Sequence, residues 1–146
     1  MVHLRLSRSP SELNCPVTGT VGYSVMPAES PREGFHSVTP RIVVEDVAAQ
    51  VKFLRTVFGA TGSVEPGRPA EIRIGNSLVM ISAADERDPF QAFLYVYVDD
   101  ADATYRRALA AGALSVEEPL ETPYGDRRAM VRDPFGNIFQ MAHQVT

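Results

Sequence analysis

Apolar side chains recur at Val47, Val51, Leu54 and Phe58, the spacing of one face of a helix. Asp46 stands where an N-cap is needed, and Gly59 where the chain must turn out of the helix. Before this helix, Pro40-Arg41-Ile42-Val43-Val44 is a short β-branched run that reads as a strand. After it, a weak strand is expected over Ser63 to Glu65. Glu71 to Ile74 and Leu78 to Ser82 then read as a hairpin across Gly75-Asn76. The order is β-α-β-β-β.

The pattern then returns. Phe93 to Val98 reads as a strand, and Asp100 caps a helix that packs through Ala103, Tyr105, Ala108, Leu109 and Ala111 and stops at Gly112. Leu114 to Glu117 is an expected strand, Thr122 to Asp126 a loop, and Arg128 to Arg132 is expected to pair with Ile138 to Ala142. Asp133-Pro134-Phe135-Gly136-Asn137 joins the last two, with Pro setting one turn position and Gly supplying a positive φ. Asp46 and Asp100 lie 54 positions apart, and Gly59 and Gly112 lie 53 apart. A repeat of this length, present twice, is a duplicated supersecondary module. Module one spans 37–84 and module two 91–143, within a single domain over 36–146.

Residues 1–35 follow neither period. Ser7, Ser9, Pro10, Ser11, Pro16, Pro27, Ser30, Pro31 and Gly34 punctuate them, so an N-terminal extension is expected, either flexible or docked on a partner. Leu4, Leu6, Val21, Tyr23 and Val25 suit short extended pieces. Met26 is a natural start, which makes residues 1–25 an expected upstream extension.

The chain has 146 residues, 45% of them hydrophobic and 22% charged, enough for one ordinary core. Its formal charge of −4 argues against nucleic acid or an anionic membrane as partner. No apolar run approaches the ~20 residues that span a bilayer, and no secretory signal is visible. The single cysteine, Cys15, has no partner for an internal disulfide, which suits the cytoplasm.

The paired modules carry a resemblance. Each has a strand ending before an Asp-capped helix that stops at Gly-Ala, and Asp133-Pro134-Phe135-Gly136-Asn137 precedes the last strand. In these features the chain resembles the vicinal-oxygen-chelate superfamily, which includes glyoxalase I, extradiol dioxygenases, fosfomycin-resistance enzymes and bleomycin-resistance proteins. Thr39-Pro40, Leu94-Tyr95-Val96-Tyr97-Val98-Asp99-Asp100 and Tyr124-Gly125-Asp126-Arg127 look most like its PhnB-like branch. The resemblance covers residues 37–143. It implies an α+β fold in which two βαβββ modules form a curved mixed sheet around a central cleft.

It also implies where a metal would sit. Metal-dependent members bring four His, Gln or Glu side chains together from the first and last strands of each module. The matching positions are Thr39, Phe93, Gln140 and Met80, or Val79 if the alignment slips by one. A divalent ion wants imidazole or carboxylate, and this set offers an amide oxygen and a hydroxyl. Neither a metal site nor another cofactor is therefore expected. His3 lies in the extension, while His36 and His143 are offset by three from cleft positions and read as solvent-exposed. No Ser-His-Asp or Cys-His arrangement offers a nucleophile.

Strand alternation separates core from cleft. Ile42, Val44, Leu94, Val96, Val98, Phe139 and Met141 are expected under the helices, and their neighbours on the opposite face. The expected ligand-binding residues are Thr39, Arg41, Met80, Phe93, Tyr95, Tyr97, Tyr124, Arg128, Met130 and Gln140. Val43, Glu71, Arg73, Ser82, Arg132, Ile138 and Ala142 share their face. Aromatic rings stack on planar ligands at about 0.5 to 1.5 kcal/mol per pair, an arginine fork holds a carboxylate or phosphate, and methionine adapts to irregular shapes. A small, planar or partly anionic ligand follows. Alternatively, Arg128 and Arg132 pair with Glu71 and other rim carboxylates. Glu117, Glu118 and Glu121 read as a solvated acidic loop, as do Asp85 to Asp88 between the modules, and Asp126 as a turn residue.

Three classes of function fit. The first is a metal-free small-molecule-binding protein resembling bleomycin-resistance proteins. The second is a lyase, isomerase or dioxygenase of the superfamily with an atypical metal site or a metal-free pair, such as Glu71 with Tyr95 or Tyr97. The third is an interaction protein whose cleft a partner covers. Sheets with open edges favour a homodimer, as the family resemblance also implies.

Overall fold

The structure is a computed structural model that describes residues 32–85 and 87–145. Most of the expected extension, including His3, Cys15 and the proposed start at Met26, lies outside the described residues. The elements run β1 (Arg41–Val44), α1 (Val47–Phe58), β2 (Ala70–Ile74), β3 (Ser77–Ala83), β4 (Phe93–Tyr97), α2 (Ala101–Ala110), β5 (Leu114–Glu121), β6 (Asp126–Arg132) and β7 (Ile138–Gln144). They form an α+β fold with two mixed sheets, ordered β1-β3-β2 and β4-β7-β6-β5. In each, the first strand runs parallel to the last, and the remaining pairs are antiparallel.

Both helices start as their caps dictate. The Asp46 and Asp100 carboxylates accept from the backbone N–H groups of Ala49 and Ala103, each at 3.0 Å. The bond from Ala103 is also the main reason that the Asp100 carboxyl is held below its ordinary value. Gly59 leaves α1 in the left-handed conformation. The expected core residues Ile42, Val44, Phe139 and Met141 are buried, and Leu94, Val96 and Val98 pack against that core.

Four details differ from the sequence reading. The expected strand at Ser63 to Glu65 is absent. Only an isolated bridge joins Thr61 to Arg73, so module one is β-α-β-β among the described residues. The segment after Gly62 is rich in Gly, Pro and charge and has no run of ladder partners. The acidic stretch at Glu117 to Glu121 is not a loop but the second half of β5, which pairs with β6 across two register shifts. In α2, Leu109 is exposed and Thr104 is buried in its place. The Thr104 hydroxyl satisfies itself by donating to the Asp100 carbonyl at 2.8 Å.

His143 is the fourth. It is half-buried, and its Nδ1 accepts the Ala101 N–H at 2.8 Å. The N-terminal N–H groups of a helix lack internal partners, and the end of β7 passes close enough to supply one. His36 is exposed, as expected.

Candidate functional site

The register of the second sheet builds an outer face. Tyr95 lies opposite Gln140, Gln140 opposite Met130, and Met130 opposite Glu117. Phe93 and Tyr97 flank this row at period two and are 61% and 68% exposed. The Tyr95 and Tyr97 rings meet edge to face with centroids 5.4 Å apart.

One carboxylate organises the tyrosines. Tyr95 Oη donates to Asp126 Oδ2 at 2.6 Å, and Tyr97 Oη donates to the same oxygen at 3.1 Å. Asp126 is buried at the start of β6. The preceding turn places it: the Asp126 N–H donates to Thr122 Oγ1 at 2.9 Å, and the Thr122 N–H donates to the Asp126 carbonyl at 2.7 Å. Desolvation and then the Asp126 hydrogen bond push the Tyr95 phenol above its ordinary value. For Tyr97 the bond to Asp126 is the leading cause of a rise. Both phenols therefore stay protonated at neutral pH and spend their protons on Asp126.

Arg128 is occupied as well. Its Nε donates to Glu117 at 2.9 Å and its Nη1 to the Tyr124 hydroxyl at 2.8 Å, and the bond to Glu117 strengthens its hold on its proton. The rim pairing envisaged for Arg128 exists, with Glu117 and not Glu71 as partner. Gln140 differs. It is only 7% exposed, and no side-chain hydrogen bond joins its amide to another described residue.

The first sheet carries the other expected residues. Arg41 lies opposite Met80, and Met80 opposite Glu71. Arg41 Nε donates to Ser82 Oγ at 2.8 Å, beside a cavity of about 320 Å³. Glu71 pairs with Arg32 at 2.8 Å and Arg68 at 3.4 Å, so the envisaged partnership of Glu71 with a tyrosine gives way to Asp126. A second cavity of about 250 Å³ runs between β4 and the β2–β3 hairpin, lined by Pro40, Gly75, Tyr95 and Tyr97 among others. Thr39, half-buried, directly precedes Pro40. Arg41 and the tyrosines thus line different cavities of one chain.

The donor set at the positions aligned with metal ligands does not fit a divalent ion. Thr39, Met80 and Phe93 offer a hydroxyl, a thioether and a hydrocarbon ring beside the amide of Gln140. Among the described residues, no three His, Cys, Asp or Glu side chains are grouped so that they could share a metal.

Sequence reasoning passed over Asp126 and Glu117, each assigned to a loop. A signal for Asp126 was present: it precedes Arg128 and Met130 by even steps, so alternation alone puts all three on one face.

Comparison with known proteins adds the following. The sequence profile described as Glyoxalase/Bleomycin resistance protein/Dioxygenase superfamily matches residues 34–141. An uncharacterised protein of Mycobacterium bovis is 29% identical over 130 residues, covering 75% of this chain and 84% of its own. A crystal structure of a glyoxalase/bleomycin resistance protein/dioxygenase family enzyme from Burkholderia phytofirmans superposes with a TM-score of 0.63 at 24% identity, over 72% of this chain and 95% of that one. TioX from Micromonospora sp. ML1 superposes with a TM-score of 0.59 at 24% identity, over 74% and 99%. These two structures share the fold.

Proposed function

The chain belongs to the Glyoxalase/Bleomycin resistance protein/Dioxygenase superfamily, and on that premise we propose that it is a cytoplasmic protein that binds a small planar molecule without a divalent metal. The ligand lies on the aromatic face of the second sheet. The observation that carries this reading is the row of Phe93, Tyr95 and Tyr97, exposed at Phe93 and Tyr97, beside Gln140. A row of large rings at period two calls for a second layer, and the Gln140 amide beside it offers a donor and an acceptor. With Arg128 engaged by Glu117, recognition on this face rests on stacking and the amide, and not on charge.

The second layer is completed by another copy of the chain. Among the described residues, β4 ends its sheet and β1 has only the isolated bridge from Val43 to Phe90 along its outer edge. Phe90, exposed like Phe93 and Tyr97, extends the apolar surface. Sedimentation at micromolar concentration is expected to give a homodimer, and a monomer would count against this closure.

Binding is tested with 1-naphthoate and its neutral amide, followed by tyrosine fluorescence. Both are expected to bind, with Tyr97→Ala and Gln140→Ala each weakening them about tenfold. Absence of binding by either probe, or binding indifferent to both substitutions, would refute the reading.

One observation favours an enzyme instead. A buried carboxylate 2.6 Å from a phenol is a ready-made acid/base pair. In that reading Asp126 exchanges a proton with a substrate through Tyr95, and product formation abolished by Asp126→Asn with probe binding retained would establish it.

A further inference from the structure

We propose that residues 26–31 cross the first sheet as a strap over the cavity beside Arg41, with Glu29 paired to that arginine, so that the chain closes this face with its own N-terminal segment. The contact lies within one chain, and it does not depend on ligand binding at the tyrosines.

The first described residues are already laid on this sheet. Arg32 pairs with Glu71 at 2.8 Å, and its guanidinium lies 4.7 Å from the centre of the Phe35 ring. Gly34 passes so close to β2 that a Cβ there would lie 2.8 Å from Nη2 of Arg73. His36 Nε2 donates to the Asn76 carbonyl at 3.3 Å. Followed backwards from His36 to Arg32, the chain therefore runs along β2 from the hairpin turn to Glu71. Continued in that direction it meets Arg68 and Pro69, which line the cavity.

The strand register supplies a matching distance. Glu71 lies opposite Met80 and Met80 opposite Arg41, so the three form one row on one face. Two strand spacings put the ends of that row about 10 Å apart. Glu29 precedes Arg32 by three residues, and three extended residues reach about 10 Å. A chain pinned by Arg32 on Glu71 thus brings Glu29 to Arg41. Met26 and Ser30 each stand before a proline, which favours the extended backbone that this reach requires.

The charges of the cavity suit one more acid. Arg41, Arg68 and Arg87 line it together with the carboxylates of Glu65 and Asp85, three cations to two anions. Glu65 pairs with Arg68 at 3.6 Å. Arg41 pairs with no carboxylate among the described residues; its Nε donates to Ser82 Oγ at 2.8 Å, which leaves both terminal nitrogens to Glu29. Glu65 and Asp85 oppose a carboxylate arriving alone, whereas Glu29 comes on a chain already fixed at Arg32, at high effective concentration. Val43, Val47 and Val64 form the apolar part of the lining, and about 320 Å³ accommodates the Met26 side chain.

The test is digestion of the full chain by a protease that cuts after glutamate, with a synthetic peptide of residues 23–35 as the unconstrained reference. The bond between Glu29 and Ser30 is expected to be cut at least about tenfold more slowly in the full chain than in the peptide. Arg41→Gln is expected to return most of that rate, and the protection is expected to be independent of protein concentration. Glu29→Gln, outside the folded elements, supplies a second measurement: in amide-resolved NMR of the full chain it is expected to shift the amides of Arg41, Val43 and Ser82. Equal rates in chain and peptide, protection indifferent to Arg41→Gln, or shifts confined to residues 24–36 would overturn the proposal. Protection that grows with protein concentration would put the segment on a second copy of the chain and is equally fatal to a contact within one. If Arg41→Gln does not fold, the Glu29→Gln shifts decide.

Discussion

The side-chain amide of Gln50, in α1, donates to the carboxylate of Asp133 at 2.9 Å across 83 positions of sequence. The same Gln50 accepts from the Asn137 amide at 2.9 Å, and the Asn137 carbonyl accepts the Ala92 N–H at 2.9 Å. Gln50, Asp133 and Asn137 are all buried. This closed polar circuit ties the helix of module one to the β6–β7 turn of module two, so the modules are joined by more than apolar contact.

Removing Gln50 leaves a buried carboxylate oxygen and a buried amide without their partner. Gln50→Ala is expected to destabilise the fold by about 2–4 kcal/mol, at the upper end for a single substitution. Urea denaturation checks this, and a loss below about 1 kcal/mol would mean that the circuit is not important to stability.

Asp133 makes stability depend on pH. Burial pushes its carboxyl above the ordinary value of 3.8, against the lowering effect of the hydrogen bonds from Gln50 and the backbone. A raised value in the folded state means that the protonated form is favoured there. Its contribution is complete below the ordinary value and is lost as pH rises through the raised one. The stability of the wild type relative to Asp133→Asn is therefore expected to fall as pH rises above the ordinary carboxylate value. A series of denaturant titrations showing a flat or rising difference would contradict this assignment.

Two of the five tyrosines are expected to ionise late in an alkaline titration. Tyr95 and Tyr97 donate to one carboxylate, and that bond together with desolvation raises both above the ordinary value of 10.0. The phenolate absorbance of the wild type is expected to grow in two phases. Asp126→Ala is expected to move the late phase down toward pH 10, and an unchanged late phase would assign it to other residues.

Gly62 is expected to tolerate no side chain. Its φ is +126°, and a Cβ there would lie 2.4 Å from the Glu71 carbonyl oxygen, next to the bridge that joins Thr61 to Arg73. Gly67 has a φ of +76° and open space around it. Gly62→Ala is expected to cost about 3 kcal/mol and Gly67→Ala about 1 kcal/mol. Equal melting temperatures for the two variants would disprove the steric argument.

The face carried by Phe93, Tyr95 and Tyr97 was legible in the sequence because side chains of a strand alternate whatever the strand packs against. The same rule put Gln140 and Met130 beside them once the two last strands were recognised. Gln50 was not legible. It sits one position before Val51 on a helical face otherwise made of apolar residues, and a lone amide there has no local signature of the partners waiting 83 and 87 positions away.

The sequence by itself determined the α+β fold, both helix caps, the hairpin at Gly75-Asn76 and the alternation of strand residues between the core and the opposite face. These depend on spacing, propensity and the conformational freedom of glycine, all local to the chain. Only the tertiary structure decided which charges are spent. It engaged Arg128 with Glu117 and left Arg41 with Ser82, put Asp126 beneath two tyrosines, and set Arg41 and the tyrosines beside different cavities. Partnerships of this kind follow from strand order and register, which bring distant residues within 3 Å of one another, and alternation specifies a face without saying what will meet it there.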